Sequence, residues 1–298
     1  MLDYTSLAAL ATVVREGSFE RAARALHVTP SAISQRIRLL EERMGCALVV
    51  RGQPCQATET GRRLCQHVDR VRLLEHGLTS EVPAVGQGGD TRVPLPIAVN
   101  ADSLATWFAP AVAVFAAKAP VLMDVAVDDQ DHTSEWLRCG RVLAAVTGTA
   151  RPATGCNSRP LGAMRYLAAA SPAFMAQFFA KGVGASSLAA APSLVFNSKD
   201  ELQSRWVRRI CRRHVELPRH TLPSSQAFVA ASLAGMGWGL HPELLIRQLL
   251  ESGALQELVS NTPLDVPLFW QQARAASSLL DGLTREVQAA ASSALLRR

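Results

Sequence analysis

A set of short polar and basic side chains early in the chain has the types and spacing that contact nucleic acid. Ser31, Ser34, Gln35 and Arg38 fall on one side of a helical pattern whose other side is apolar. Hydroxyl and amide groups reach base edges in a DNA major groove, and arginine reaches both guanine and phosphate oxygens. The arrangement indicates DNA recognition; the alternative is an ordinary small helical bundle with a polar face.

Two further helical patterns precede this helix and would hold it in place. Phe19, Ala22, Ala23 and Leu26 recur at i, i+3, i+4 and i+7, and Ser18 is suited to cap their helix. The small alanine pair lets a neighbouring helix approach closely. An upstream packing helix is predicted from Leu7, Leu10, Ala11 and Val14.

The polar helix is predicted to begin at Pro30, where the missing N–H of proline costs nothing. Its inward positions are expected to be Ala32, Ile33, Ile37, Leu40 and Met44.

The run from Ser18 to Arg51 resembles the winged helix-turn-helix of the LysR-type transcriptional regulators. It has that family's Ser-Phe, Ala-Ala, Ala-Ile-Ser and Leu-Glu elements in order, followed by a wing-like segment and a Thr-x-x-Gly at Thr58 and Gly61. It departs where Pro30 and Ser31 replace a frequent Gln-Pro, so the family's operator sequence does not carry over.

The resemblance implies double-stranded operator DNA and RNA polymerase as partners. The DNA contacts are expected from the recognition helix and the wing. They are Thr29, Pro30, Ser31, Ser34, Gln35, Arg36, Arg38, Arg51 and Gln53.

A single helix is predicted from Thr60 to about Thr79, with apolar residues three and four apart. Such a narrow seam suits pairing with a second copy, which predicts a homodimer or tetramer with recognition helices about 34–36 Å apart. The alternative is a lone helix packed on its own domain. The seam residues are Leu64, Val68, Val71, Leu74 and Leu78.

Beyond a Gly- and Pro-rich hinge, short apolar runs alternate with helical patterns, which predicts an α/β domain with a parallel sheet. The family resemblance implies two lobes similar to periplasmic binding proteins, joined by two crossovers. The predicted divisions are a winged helix-turn-helix at 1–58, a dimerising helix at 59–80, a hinge at 81–92, and an effector domain at 93–298, with lobe I at 93–163 and 267–298 and lobe II at 164–266.

A small-molecule site is expected where strand ends and helix starts face the crevice between the lobes. Ser103 at the first strand-to-helix turn is our candidate for holding a carboxylate, whereas Asp102 suits helix capping or an ammonium group equally well. The other expected site residues, several of which also suit capping, are Asn100, Thr147, Asn197, Ser224 and Ser225.

Three short runs resemble the branch of the LysR family that senses lysine and arginine and controls amino-acid export genes. They are AVNADSLATW at 98–107, SSQAF from Ser224, and SQRI ending at Ile37. A basic effector needs an acid opposite its side chain. Asp128 or Asp129, at a predicted strand end, is our candidate, although acids so close together usually form a solvated loop.

The composition of the 298-residue chain agrees with a multi-domain cytoplasmic protein, associated with the nucleoid and without a membrane span. The net charge of +6 does not locate the DNA-binding end, because residues 1–90 carry eleven Arg, no Lys and ten acids. No nucleophile elbow, P-loop or H-E-x-x-H motif occurs, so we predict neither an enzyme nor a cofactor.

Three alternatives to a regulator that responds to lysine or arginine remain, and the first is a LysR-type regulator with a different effector. The six dispersed cysteines could include a thiol redox sensor, and Cys211 lies among arginines that favour a thiolate. The chain could also be an architectural DNA-binding protein that takes no small-molecule input.

Overall fold

The computed structural model describes residues 2–81, 93–119, 121–127, 133–138 and 141–297. Its contacts divide the chain into two units, Met1–Pro94 and Leu95–Arg298. No helix in these described ranges is both long and apolar enough to cross a membrane.

In its described residues, the first unit consists of four helices and a two-stranded antiparallel wing. Its elements are α1 (Tyr4–Glu16), α2 (Phe19–Ala25), α3 (Pro30–Met44), β1 (Val49–Val50), β2 (Gln56–Ala57) and α4 (Glu59–Glu81). Its core is formed mainly by apolar residues of α1, α2 and α3. These include Leu7, Leu10, Val13, Ala22, Ala23, Ile33, Ile37 and Leu40.

Helix boundaries in this unit follow from capping side chains. Ser18 Oγ accepts a hydrogen bond from the Arg21 N–H, and Pro30 occupies the first turn of α3. Both predictions are confirmed. Thr58 caps α4, because its hydroxyl accepts from the Gly61 N–H at 3.1 Å. A Cβ at Gly61 would lie 2.0 Å from the Leu48 carbonyl oxygen, so only glycine allows α4 to approach the wing this closely.

The start of α4 packs on its own domain, which corrects part of the predicted dimer seam. Val68 is only 4% exposed within a single chain and belongs to the core beside α1, and Leu64 packs partly against that core. These two positions therefore stabilise the domain. Val71 is half-buried. The side chains of Leu74 and Leu78, and the hinge at 82–92, lie outside the described residues.

The second unit is α/β, and its elements follow in chain order. The first set is β3 (Val93–Val99), α5 (Ala101–Ser103), a π-helical segment (Leu104–Phe108), α6 (Ala109–Ala116), β4 (Val121–Val127), α7 (Thr133–Arg138) and β5 (Ala144–Thr147). The second set is β6 (Cys156–Ala170), α8 (Pro172–Phe179), α9 (Ala185–Ala190), β7 (Ser193–Val195), α10 (Leu202–Cys211), β8 (Arg219–Thr221), α11 (Ser225–Leu233), β9 (Gly239–Pro242), α12 (Glu243–Glu251), β10 (Gln256–Glu257), β11 (Leu264–Ala273) and α13 (Ser277–Ala294).

Two long strands, β6 and β11, pair antiparallel and connect two lobes. In lobe I, β5 pairs with β11 and also runs parallel to β3, and α13 packs on α6. In lobe II, β9 and β10 pair with β6, while β7 and β8 form a small parallel sheet. The end of β3 and the start of α11 thus belong to different lobes.

Candidate functional site

The recognition helix α3 presents most of its predicted DNA-contacting residues outward. Ser31, Gln35 and Arg38 are exposed, whereas Ser34 and Arg36 are half-buried. This follows from the apolar positions Ile33, Ile37 and Leu40, which are buried in the core and turn the polar positions away from it.

The wing extends the polar surface of α3. Arg51 and Gln53 are exposed, and the Arg51 guanidinium lies over the Phe19 ring at 5.4 Å from its centroid. Together with Ser34, they line an open groove of about 710 Å³. The structure therefore brings one α3 residue and two wing residues to a common surface.

Two of the predicted DNA contacts already have partners within the chain. The Thr29 hydroxyl caps α3 by accepting from the Ala32 N–H at 3.2 Å, and it lies 2.9 Å from the Ser31 hydroxyl. Arg38 is paired with Glu42 at 2.9 Å across one helical turn. Capping explains Thr29 without DNA, while Arg38 would exchange an exposed ion pair of small stability for a phosphate or base.

The second site is a cavity of about 40 Å³ in the effector unit, which we name the interlobe cavity. Lobe I supplies Asn100, Ala101 and Asp102 from the end of β3 and the start of α5. The remaining described lining residues come from lobe II. They are Phe196, Asp200, Leu202, Ser225, Phe228, Leu240, His241 and Pro242.

Asp102 connects the two lobes. Its Oδ1 accepts a hydrogen bond from the Ser225 hydroxyl at 2.6 Å, and its Oδ2 accepts from the Tyr166 hydroxyl at 2.8 Å. Both carboxylate oxygens of Asp102 thus serve contacts with other elements of the domain. Two O–H donors on one carboxylate occupy the positions that an ammonium or guanidinium group would take.

Asp200 is a second carboxylate in the cavity, and we did not predict it from the sequence. It is buried and accepts from the backbone N–H groups of Phe196 at 2.9 Å and Leu202 at 3.0 Å. Burial raises the pKa of Asp200, and these hydrogen bonds only partly oppose that effect. An incoming cation would stabilise its charged form.

His241 and the aromatic lining residues are also absent from our predicted set. The ring of His241 is completely buried, and burial lowers its pKa to about 4. Phe228 meets it edge-on, with the ring centroids 5.9 Å apart. A histidine before the Pro-led helix at Pro242 was visible in the sequence, but nothing there placed it near Asp102.

Four other predicted site residues do not line the cavity. The Ser103 side chain is fully buried, and its hydroxyl has no hydrogen-bond partner among the described residues, so its role as the carboxylate holder stays a prediction. Thr147 is buried and bonded to Gln271 and the Thr149 carbonyl. Asn197 accepts from the Lys199 N–H, and Ser224 caps α11. Asp128 and Asp129 lie outside the described residues.

The cysteine environments bear on the redox alternative. Burial raises the pKa of Cys65 to about 11 and also raises that of Cys156, so both thiols resist forming the reactive thiolate. Cys211 is half-buried at the end of α10. Neither of the two shifted thiols suits a peroxide-sensing role.

A winged helix-turn-helix joined to a two-lobed α/β unit with an interlobe cavity defines a class of ligand-responsive DNA-binding regulators. Two family models match the chain: the bacterial regulatory helix-turn-helix protein of the lysR family over residues 4–62, and the LysR substrate binding domain over residues 89–292. The chain belongs to the LysR family and is a DNA-binding transcriptional regulator, not an enzyme.

Named relatives match over nearly the whole length. The chain is 47% identical over 291 residues to the HTH-type transcriptional regulator ArgP of Pseudomonas fluorescens strain Pf0-1, covering 96% of each chain. It is 45% identical over 291 residues to LysG of Mycobacterium tuberculosis strain H37Rv, covering 98% of this chain and 94% of the relative.

Solved structures show the same architecture. ArgP from Mycobacterium tuberculosis aligns with a TM-score of 0.81 at 44% identity and covers all of both chains. Full-length LysG from Corynebacterium glutamicum with bound effector Arg aligns at 0.69 with 37% identity, covering 99% of this chain and 100% of that one.

Proposed function

We propose that this regulator responds to lysine or arginine bound in the interlobe cavity, and controls genes of amino-acid export or metabolism. One observation carries the proposal: the described lining holds two carboxylates, Asp102 and Asp200, and neither lysine nor arginine. Such a site attracts cations. A basic amino acid has two, its α-ammonium and its side-chain group.

The geometry of the two acids supports this assignment. Asp102 comes from lobe I and Asp200 from lobe II, so a ligand with cationic groups at both ends would connect the lobes through a separate carboxylate on each. Phe196, Leu202 and Phe228 line the same cavity and suit the methylene chain between those groups. A neutral amino acid such as leucine brings a cation to only one of the two acids, which disfavours its binding relative to arginine or lysine.

The present cavity is too small for any amino acid. Its 40 Å³ is close to the volume of one water molecule, about 30 Å³. Binding therefore requires the lobes to part, and the Ser225 hydroxyl must leave Asp102 to make room. The effector replaces a hydrogen bond between a neutral hydroxyl and the Asp102 carboxylate with a hydrogen-bonded ion pair, and this difference shifts the equilibrium between lobe arrangements.

The known relatives agree with this assignment. The Corynebacterium glutamicum LysG structure holds arginine as its effector. By similarity at 37% identity over 99% of this chain, the same class of ligand suits the cavity here. We favour arginine and lysine together, because each carries the two cationic groups that the carboxylates require.

The effector would change transcription through the arrangement of the subunits on DNA. We place the protein in the bacterial cytoplasm, at the nucleoid, as a dimer or tetramer on an interrupted palindrome. The described α4 position that remains for pairing is Val71, which is half-buried in one chain. A change in lobe arrangement would alter how the dimers bend operator DNA and contact RNA polymerase.

Calorimetric titration of matched variants tests the proposal. The wild type and the control D281N, which changes an exposed carboxylate on α13, should bind lysine or arginine and show no response to leucine. D102N and D200N should each weaken binding about tenfold or more, because each loses a charge-assisted hydrogen bond.

Three results would contradict it. Leucine binding as tightly as arginine would reject the basic amino acid class, and full affinity in both D102N and D200N would reject this cavity. No binding of any amino acid, with operator binding intact, would favour the redox or architectural alternative.

A further inference from the structure

His241 combines complete burial with an unsatisfied ring nitrogen at the interlobe cavity. It lies in β9 and lines the cavity together with Asp102 and Asp200. Its Nε2 lies 2.9 Å from the Ser232 hydroxyl. Its Nδ1 has no hydrogen-bond partner among the described residues. Buried ring nitrogens are normally paired, so this one is available to a ligand.

The described residues that line the cavity beside His241 include two acids and neither lysine nor arginine, while the charge of Arg219 lowers the pKa of Asp200 from outside this lining. Asp102 of α5 and Asp200, which precedes α10, share the cavity with it. From the strand paired with β9, Tyr166 presents a hydroxyl that is bonded to Asp102. Glu243, two residues along the chain, is paired with Arg247 at 3.4 Å.

The charges of a bound basic amino acid would not balance at this site as it stands. The ligand carries two cations and one carboxylate, and the cavity carries the carboxylates of Asp102 and Asp200. The two cations match the two acids, which leaves the carboxylate of the ligand without a cation among the described lining residues. An unpaired buried charge is strongly unfavourable. If His241 took up one proton, its imidazolium would supply the missing cation for the ligand's carboxylate.

Before the effector binds, His241 is neutral and therefore has a ring nitrogen that can take up a proton. Burial alone lowers its pKa to about 4, so the ring is neutral at physiological pH. A carboxylate within hydrogen-bond distance of Nδ1 favours the charged imidazolium and raises the pKa. Nδ1 then donates to the ligand, while Nε2 donates to the Ser232 hydroxyl.

We propose that binding of the basic amino acid is coupled to uptake of one proton from solvent by His241, which then holds the ligand's α-carboxylate. This inference depends on the proposed function, because it requires a ligand with a carboxylate in the cavity. It makes effector sensing dependent on pH, with tighter binding in more acidic conditions.

Calorimetry of the full-length wild type with arginine measures the proton directly. Near pH 6 the apparent binding enthalpy is compared in several buffers of different ionisation enthalpy, whose slope gives the number of protons exchanged. We expect His241 to contribute uptake of about one proton. Any proton that Asp200 releases on meeting a cation contributes to the slope of every variant that retains Asp200, so the difference between the wild type and a His241 variant isolates the proton of His241. A difference of zero overturns the inference.

The variant H241Q provides the matched comparison. Its proton uptake should be lower than that of the wild type by about one, and an equal slope in the two proteins would assign the proton elsewhere. The pH dependence of the affinity gives a second measurement that needs no variant. As the pH increases from about 4 to the pKa of His241 in the bound state, the wild-type Kd should rise by up to about tenfold per pH unit.

The outcomes separate this inference from the proposed function. Arginine binding with equal proton uptake in the wild type and H241Q leaves the proposed function standing and rejects the role of His241. Absence of binding to any basic amino acid rejects both.

Discussion

The Ser225 hydroxyl donates a 2.6 Å hydrogen bond to Asp102 Oδ1, and thereby joins the first residue of α11 in lobe II to α5 in lobe I. The same carboxylate also accepts from Tyr166. The contact that holds the lobes together thus occupies the carboxylate that we assign to the effector. The Ser225 hydroxyl and the effector therefore compete for the Asp102 carboxylate.

This competition predicts that S225A binds arginine more tightly than the wild type. The substitution removes a hydrogen bond that exists only before the effector binds, so the gain should be about tenfold or more, as for one hydrogen bond to a charged group. Titration calorimetry measures it.

The neighbouring S224A is the control for that variant. Ser224 caps α11 and does not line the interlobe cavity, so its loss should cost about 1 kcal/mol of stability and leave the arginine affinity unchanged. Weaker binding by S225A would show instead that Ser225 contacts the effector itself.

Acid should destabilise the effector-free protein through His241. Its pKa is 6.5 when unfolded and about 4 when folded, so the unfolded state binds the proton first as the pH falls. Stability is retained above pH 6.5 and is lost progressively towards pH 4, by about 3 kcal/mol in all. Urea unfolding at a series of pH values should show this loss in the wild type. The contribution should be missing in H241Q, and identical pH profiles would refute it.

Operator binding should depend on Arg51 through phosphate charge. If Arg51 neutralises one phosphate in each subunit, R51A should reduce the slope of log K against log salt by about 1.8 per dimer. The control R247A alters an arginine of α12 that is paired with Glu243, and its slope should equal that of the wild type. An unchanged slope in R51A would remove the wing arginine from the DNA interface.

Self-association should depend on Val71. An aspartate there places a charge on the remaining described seam position, so V71D should sediment as a monomer. E75Q changes an exposed residue of the same helix and should remain dimeric. If V71D stays dimeric, the chains associate through other surfaces.

The DNA-binding unit could be predicted from sequence because its determinants are local. The Ser18 and Pro30 signals mark helix starts, and the i, i+3, i+4 spacing of Ile33 and Ile37 selects the buried face. The seam prediction at Val68 was wrong for a tertiary reason. An apolar stripe buries its residues equally well against a partner or against its own domain, and here α1 covers Val68.

The interlobe cavity was only partly predictable, because its residues come from distant parts of the chain. Asp102 and Ser225 stood at strand-to-helix turns, where site residues are expected. Asp200 and His241 carry no such local signal, and only the pairing of β9 with β6 and the crossing of lobes brings them to Asp102. Ser103 lies one residue beyond Asp102 on the same turn, fully buried outside the cavity lining, and its role stays a prediction.

A crystal structure of the full-length protein with arginine bound would test the central claim most directly. We expect the lobes to be further apart, Ser225 to be released from Asp102, and the cationic groups of arginine to lie within about 3 Å of the Asp102 and Asp200 carboxylates. Arginine bound outside the interlobe cavity, or within it without contact to either acid, would contradict the account.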